Sequence, residues 1–332
     1  MSSKPTKLAD LAALAGVSTA TVSRALSGHP SVSKATQARI QALAREHDVR
    51  PNQMARNLRL RSTGAIGLAM PLGHARTQHL TDPFFLSLLG YIADLLVDRG
   101  YDVLLSRVLP ENNDWLERLV DSGRVDGLLL IGQSDQYRTI ERVAARYGPL
   151  VVWGVHRAGQ RHLAIGSDNV AGGRLAATHL LARDRRRLLF VGDPAPPEFA
   201  DRLAGFTAVA REAGVRAEVL ATPMDPDRVH AAMRTRLAVG TLPDAVFAAS
   251  DVAAMSVLRA ASEAGIDVPS DMAVIGYDDV TLAAHTSPPL TTIRQDLATG
   301  AALMVERLVA RIAGEPADAA VIPPELVVRA ST

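Results

Sequence analysis

The sequence predicts an α/β protein with a small all-helical head at its N-terminus, and three observations predict it. Residues 8–28, LADLAALAGVSTATVSRALSG, have the spacing of two short helices joined by a tight turn. From residue 63 onward, short apolar runs alternate with amphipathic stretches, which is the βαβ order of a parallel sheet flanked by helices. Charge separates the two regions: residues 1–62 hold ten Lys and Arg against three Asp and Glu, a net of +7, leaving −6 on the remainder of a chain whose total is +1. All three lysines lie in the head. A basic head on an acidic body is the electrostatic footprint of a phosphate-binding module.

Within the head, Leu8, Leu11, Ala12 and Ala15 recur at i, i+3, i+4 and i+7, one apolar stripe of a helix, and Asp10 suits the positive end of its dipole. Gly16-Val17-Ser18 supplies a residue tolerant of positive φ, a buried anchor and an N-cap for a second helix from about Thr19 to Leu26. On that helix Val22, Ala25 and Leu26 face inward. Thr19, Ala20, Ser23 and Arg24 point outward and, with Ser18 and Thr21, form the candidate DNA-reading face. The plainer reading is an ordinary helical hairpin; the charge asymmetry favours DNA. Ser33 caps a third helix bearing Ala35, Ala38, Ile40, Leu43 and Ala44, which closes a mini-domain of about 50 residues, marginal by itself. Arg50-Pro51-Asn52-Gln53-Met54-Ala55-Arg56-Asn57-Leu58-Arg59 then reads as a short helix with Pro51 in its first turn and Asn52 and Arg56 as polar DNA contacts. Leu58 is apolar among basic and polar neighbours. It either packs on a neighbouring segment or serves as a wedge that unstacks a base step in the minor groove.

The body has the composition of a cytosolic α/β protein: 48% of 332 residues are hydrophobic, and no run of about 18 apolar residues suggests a membrane span. No apolar segment of signal-peptide type is visible at the N-terminus, so a cytoplasmic, nucleoid-associated protein is expected. Cysteine is absent, which excludes disulfides, thiol catalysis and Cys-based zinc sites. Strands are read at AIGLAMP, YDVLLS, VDGLLLIG and LVVWGV, with helices at Phe84 to Arg99, Asp114 to Ser122 and Thr139 to Tyr147. The pattern restarts at residues 164–168 (AIGSD), followed by strands at RLLFVGD, AEVLATP, DAVFAAS and MAVIGYDD. Two similar lobes with a cleft at the carboxyl ends of their strands are expected.

The run AGVSTATVSRALSG followed by RPNQMARNLR resembles the DNA-binding domain and hinge helix of the LacI/GalR family of transcriptional regulators, and the resemblance extends over the whole chain. It implies that Thr19 and Ala20 choose bases and that Leu58 is the minor-groove wedge. The family usually has Gly-Tyr before the Arg-Pro-Asn; this chain has Asp48-Val49. The body is similar to the periplasmic-binding-protein type I fold of that family, with PPLTTIRQD and VIPPELVVRAST matching its crossover and closing segments. The implied division is a head at 1–50, a hinge helix at 51–62 and an effector-binding and dimerisation domain at 63–332. Its first lobe takes about 63–160 and 290–320, its second about 161–289 and 321–332. The chain ends after the closing strand without the leucine-heptad tail by which some members tetramerise, so a homodimer is expected.

Asp82-Pro83-Phe84-Phe85 places two aromatics at the mouth of the first lobe, where either a sugar or base stacks on them or they simply pack the core. Trp153 falls at a strand end, next to Gly154, where many relatives have Asp. In the second lobe Asp168, Asn169, Arg202, Asp251 and Asp278 match polar positions of the family's effector site. Arg202 offers a planar fork of donors to vicinal hydroxyls or a carboxylate, and Asp278 accepts from the same hydroxyls. Asp168 and Asp251 read equally well as helix N-caps. Gln133, Ser134 and Gln295 are weaker candidates at the rim.

Carboxylates in a cleft also raise glycoside hydrolysis. No nucleophile elbow, His-Glu metal helix or phosphate loop accompanies them, and the nine histidines are scattered without metal-ligand spacing. AGGRLAATHLL, a Gly-Gly opening a helix, reads as a loop-to-helix junction rather than a phosphate turn. The expectation is therefore an allosteric, non-enzymatic repressor of a carbohydrate-utilisation operon, without cofactor or metal, released from a palindromic operator by a mono- or disaccharide. Alternatives are a purine or phosphosugar corepressor-type regulator, or a cytosolic sugar-binding protein or enzyme. A phosphosugar wants a second cation, for which Arg107 and Arg157 are the candidates.

Overall fold

The computed structural model describes residues 8–26, 29–49, 62–71, 81–108 (without the Arg107 side chain), 114–133 and 135–332. The chain divides into two compact units, Met1–Thr63 and Gly64–Thr332.

In the first unit, α1 (Leu8–Ala15), α2 (Thr19–Leu26) and α3 (Lys34–Glu46) enclose a core of Leu11, Ala12, Ala15, Val22, Ala25, Val32, Ile40, Ala44 and Val49. Gly16 stops α1 at φ +62°, its N–H donating to Ala13 O (3.3 Å) and that of Val17 to Ala12 O (3.0 Å). This is the left-handed cap that only glycine adopts without strain. Arg39 reaches from α3 to donate to Ala15 O at 2.7 Å, satisfying another carbonyl at the same helix end. Ser33 caps α3 through the Thr36 N–H. Two expectations for α3 fail: Ala35 and Ala38 are exposed, and the helix enters the core through Ile40 and Ala44 with Leu43 at its edge. Asp48 sits at φ +52°, a conformation in which glycine is favoured and Asp tolerated, and Val49 is buried with its N–H on Ala44 O (2.9 Å).

The second unit carries two six-stranded sheets. The first is built from β1 (Ala65–Pro71), β2 (Asp102–Val108), β3 (Gly127–Ile131), β4 (Leu150–Trp153), β5 (Leu163–Ser167) and β11 (Ala320–Ile322), in the order β11-β5-β4-β3-β1-β2 and parallel throughout. The second uses β6 (Leu188–Gly192), β7 (Glu218–Ala221), β8 (Ala245–Ala248), β9 (Ala273–Asp278), β10 (Thr291–Arg294) and β12 (Glu325–Val327), in the order β12-β10-β9-β8-β6-β7, with β12 antiparallel to β10. The central strands are buried on both faces, hence their continuous apolar runs. Along β3, Leu129 and Ile131 face α4 (Pro83–Val97) and α11 (Leu297–Ile312), whereas Leu128 and Leu130 face α5 (Trp115–Asp121) and α6 (Tyr137–Ala144). The second sheet is sandwiched in the same way. Leu189, Val191 and Val246 face α9 (Pro226–Ala238) and α10 (Asp251–Glu263), and Phe190, Phe247 and Tyr277 face α7 (Asn169–Leu181) and α8 (Pro197–Glu212).

Sheet membership corrects the expected division of the lobes. β5 pairs with β4 and completes the first sheet, and β10 pairs with β9 in the second. The chain therefore crosses between lobes after Ser167, after Arg294 and at Pro323-Pro324, rather than near residues 160, 290 and 320. AIGSD looked like the first strand of a new lobe, but its backbone ladder joins it to the old one.

Candidate functional site

On the head, Thr19, Ala20 and Arg24 are exposed on one side of α2, opposite buried Val22 and Ala25, with Ser23 half-buried beside them. Ser18 serves the helix itself. Its Oγ accepts the Thr21 N–H at 3.1 Å and lies 2.9 Å from the Thr21 hydroxyl, so these two fix the N-terminus from which Thr19 and Ala20 project. Small polar side chains on the leading turn of such a helix suit base edges, and a guanidinium in its last turn, at Arg24, suits phosphates. Asn52, Arg56 and Leu58 lie outside the described residues, as does Ser134.

In the second unit a cleft opens at the carboxyl ends of both sheets, with Phe84, Phe85 and Trp153 from the first lobe across from Phe199, Arg202 and Asp278 from the second. Asp82 caps α4 through the Phe84 N–H (2.9 Å), which sets both phenylalanines at the cleft mouth. Their rings meet edge to face, centroids 5.4 Å apart, and Phe84 lies 6.2 Å from the Trp153 ring. Trp153 is seated on the backbone of Gly300, where a Cβ would lie 2.1 Å from its ring.

Arg202 is the centre of the second-lobe wall. Its Nε donates to Asn169 Oδ1 (2.8 Å) and its Nη1 to Ala249 O (2.5 Å), while the guanidinium carbon lies 3.6 Å from the Tyr277 ring centroid and 5.1 Å from that of Phe199. The same Nη1 lies 3.9 Å from Asp278 Oδ1. These contacts commit Nε and Nη1 to the protein itself. This placement depends on two glycines. A Cβ on Gly173 of α7 would lie 2.0 Å from Arg202 O, and one on Gly205 of α8 2.0 Å from Val170 O, so the helices touch backbone to backbone. A Cβ on Gly172 would strike the Tyr277 hydroxyl at 2.6 Å. The Gly-Gly of AGGR is thus a helix-packing device.

Asp278 and Asp279 both take positive φ, +115° and +58°, at the end of β9. This strain is held by Gln295 on Asp278 Oδ1 (2.7 Å), and by Arg329 and Arg294 on Asp279 (2.6 and 2.7 Å). Burial pushes the Asp278 carboxyl well above the usual carboxylate range, against the pull of Arg202. Gln295 is accordingly a supporting residue of Asp278.

The remaining sequence candidates lie elsewhere. Asp168 is the N-cap of α7, accepting the Ala171 N–H at 2.9 Å, and does not line the cleft. Asp251 is neither lining nor cap: Ser250 caps α10, and Asp251 is buried in the second lobe, taking the Val280 N–H (2.8 Å) and the Thr292 hydroxyl (2.5 Å). Burial raises its pKa to about 7. Asn169 acts through Arg202. Gln133 is buried, bridging Val155 O (2.9 Å) and His162 Nε2 (2.8 Å), and it occupies the space where a side chain at position 154 would go: a Cβ on Gly154 would meet its Cγ at 2.7 Å. Arg157 is paired with Asp201 at 2.6 Å outside the lining. Sequence reasoning missed Asp82 and Glu198 as lining residues; each reads as an ordinary first-turn or capping acid.

Residues 7–52 match the model for bacterial regulatory proteins of the lacI family, and residues 177–332 that for the periplasmic binding protein-like domain. The HTH-type transcriptional regulator MalR of Streptomyces coelicolor is 34% identical, across 98% of this chain and 96% of its own length. The ribose operon repressor of Escherichia coli is 32% identical across 91% and 92%. Among solved structures, the lac repressor dimer bound to operator and the anti-inducer ONPF matches with a TM-score of 0.85 at 26% identity over 99% of both chains. The complex of the regulator CelR with cellobiose matches with 0.70 at 29% over 99% and 100%. With a helix-turn-helix head, a two-lobed body and relatives that match it nearly end to end, the chain belongs to the lacI family of bacterial transcriptional regulators.

Proposed function

We propose that the protein is a homodimeric, cytoplasmic repressor of a carbohydrate-utilisation operon that leaves a palindromic operator when a mono- or disaccharide enters the cleft between its lobes. The observation that carries this reading is the cleft itself. Phe84, Phe85 and Trp153 offer aromatic faces to the C–H surface of a sugar ring, and Arg202 and Asp278 offer a donor and an acceptor to its hydroxyls. CelR, a structural match across the chain, is solved with cellobiose, and the lac repressor is solved as a dimer on its operator.

In this reading Thr19, Ala20 and Ser23 meet base edges, Arg24 and its basic neighbours hold phosphates, and residues 51–62 order on DNA with Leu58 in the central minor groove. The sugar binds the operator-free state better and shifts the population toward it. Fluorescence anisotropy of a labelled palindromic duplex from the gene's upstream region, at two salt concentrations with and without sugars, tests this. Tight binding that weakens with salt and is lost with one sugar is the expected result; binding that no sugar alters, or no binding, overturns it.

A further inference from the structure

Two groups of the first lobe reach across to the opening turns of α8, the second-lobe helix that carries Arg202. Arg157, in the loop between β4 and β5, donates Nη2 to Asp201 Oδ1 at 2.6 Å. Burial pushes the Glu198 carboxyl up, and among the groups that draw it down is the N–H of Gln133, just past β3. The Glu198 charge acts on Arg157 as well, after that of Asp201. Glu198 and Asp201 are i and i+3 on one helix, so both ties land on the same face of its first turns.

An ion pair at a surface contributes little when two mobile segments must be ordered to make it. Here the backbone on each side is already fixed. The loop turns at Gly159 (φ +81°), the Arg157 N–H donates to Gln160 Oε1 at 2.8 Å, and Gln160 Nε2 donates to His162 O at 3.1 Å. Glu141 of α6 clamps the far end of the loop, taking the N–H groups of Arg161 (2.9 Å) and His162 (3.1 Å) and the His162 ring at Nδ1 (2.5 Å). Gln133 Nε2 holds the near end through Val155 O at 2.9 Å. On the second lobe, α8 is packed backbone to backbone on α7 at Gly173 and Gly205. A bond between two bodies so fixed resists their separation directly. Neither Arg157 nor Asp201 lines the cleft, so the pair can govern access without touching what lies inside.

We propose that Arg157 and Asp201 form a clasp that holds the two lobes together in the absence of ligand, with Gln133 and Glu198 as its inner point, so that the cleft opens when the clasp breaks. The clasp stands whatever the cleft binds.

The test is amide hydrogen exchange of the full-length protein without ligand, resolved to single residues. The Gln133 N–H acts on a carboxylate of the other lobe and is freed when the lobes part; the Leu128 N–H donates to Pro149 O (2.8 Å) inside the first lobe and reports the stability of that lobe alone. Arg157→Ala is expected to speed exchange at Gln133 about fivefold and to leave Leu128 unchanged. Arg157→Glu, which sets acid against acid, should speed it further. Adding Asp201→Arg to Arg157→Glu should return Gln133 to near its native rate, which no general loss of structure would do. Raising the salt from about 0.05 M to about 0.5 M screens a half-exposed pair, so it should speed Gln133 in the native protein and not in Arg157→Ala. The native arm of that comparison requires no variant to fold. Exchange at Gln133 that ignores both Arg157→Ala and salt, an acceleration shared equally by Leu128, or a charge swap that restores nothing overturns the clasp.

Discussion

The head and the body use opposite strategies to present a site. In the head, four of the nine buried apolar residues are alanines, and the fold relies on local devices: the Gly16 turn, the Ser18 and Ser33 caps and the Arg39 guanidinium on the end of α1. The residues that would meet DNA are surface residues that touch little of their own domain. In the body, the central polar groups of the candidate site are buried. Arg202 and Asp278 are 4% and 7% exposed, and each is held by further buried polar residues, Asn169 and Gln295, on a frame of helices packed too closely to admit a methyl group. A thin fold with an exposed reading face fails by unfolding. A dense fold with a buried site fails by misplacement.

Two substitutions separate these modes. Ile40→Ala removes a fully buried side chain from the head, at a cost of about 2–5 kcal/mol that a marginal domain of this size cannot absorb. Operator binding should be lost, with the calorimetric transition of the body and its sugar affinity unchanged. If Ile40→Ala still binds the operator as the native protein does, the head is not the marginal partner. Gly173→Ala should do the reverse. Its Cβ would lie 2.0 Å from Arg202 O and 2.8 Å from Phe206 N, both backbone atoms, so α7 and α8 must separate and carry Arg202 with them. Overpacking of this kind costs about 1–3 kcal/mol, or several degrees in the melting temperature of the body. Sugar affinity should fall in parallel, and an unaltered affinity would show that Arg202 does not depend on that contact.

The same contrast governs what was legible in the sequence. The helix-turn-helix could be read because its determinants are local: a 3.6-residue apolar period, a glycine where φ turns positive and a serine cap. The strands were legible because burial on both faces leaves unbroken apolar runs. Which sheet each strand joins was not, since β5 carries no mark distinguishing the last strand of one lobe from the first of the next. Within the cleft, sequence reasoning reached the side chains with distinctive chemistry, Arg202, Asp278, Phe84, Phe85 and Trp153, which the structure brings together. It could not separate Asp168, a helix cap, or Asp251, an internal anchor, from a true lining carboxylate such as Glu198. All are acids at strand ends or in first turns, and only tertiary packing decides where each side chain points. Gly154 is similar: its missing side chain makes sense once Gln133 is seen in its place.

Acid should act on the body through a histidine with no counterpart among the described residues of the head, where His29 is exposed and His47 half-buried. His179, in the last turn of α7, is buried with Nε2 at 2.8 Å from the Thr332 hydroxyl and Nδ1 at 3.0 Å from Arg183 Nη1. A guanidinium can only donate, so Nδ1 is the acceptor and the ring is neutral with its proton on Nε2. Burial, and then the Arg183 charge, lower its pKa to about 4. In the unfolded chain the ring titrates near about 6.5. Between those values the unfolded chain binds a proton that the folded protein refuses, so the stability tied to the neutral ring is complete above about pH 6.5 and drains away as the pH falls toward 4. His179→Gln has no ring to titrate. At pH 7.5 this titration contributes nothing to the difference between native protein and variant, which makes the effect the smallest of the three under ordinary conditions. On lowering the pH to 4.5, calorimetry should show the melting temperature of the native body falling more steeply than that of the variant. Parallel slopes would mean that another buried group sets the acid limit of the body.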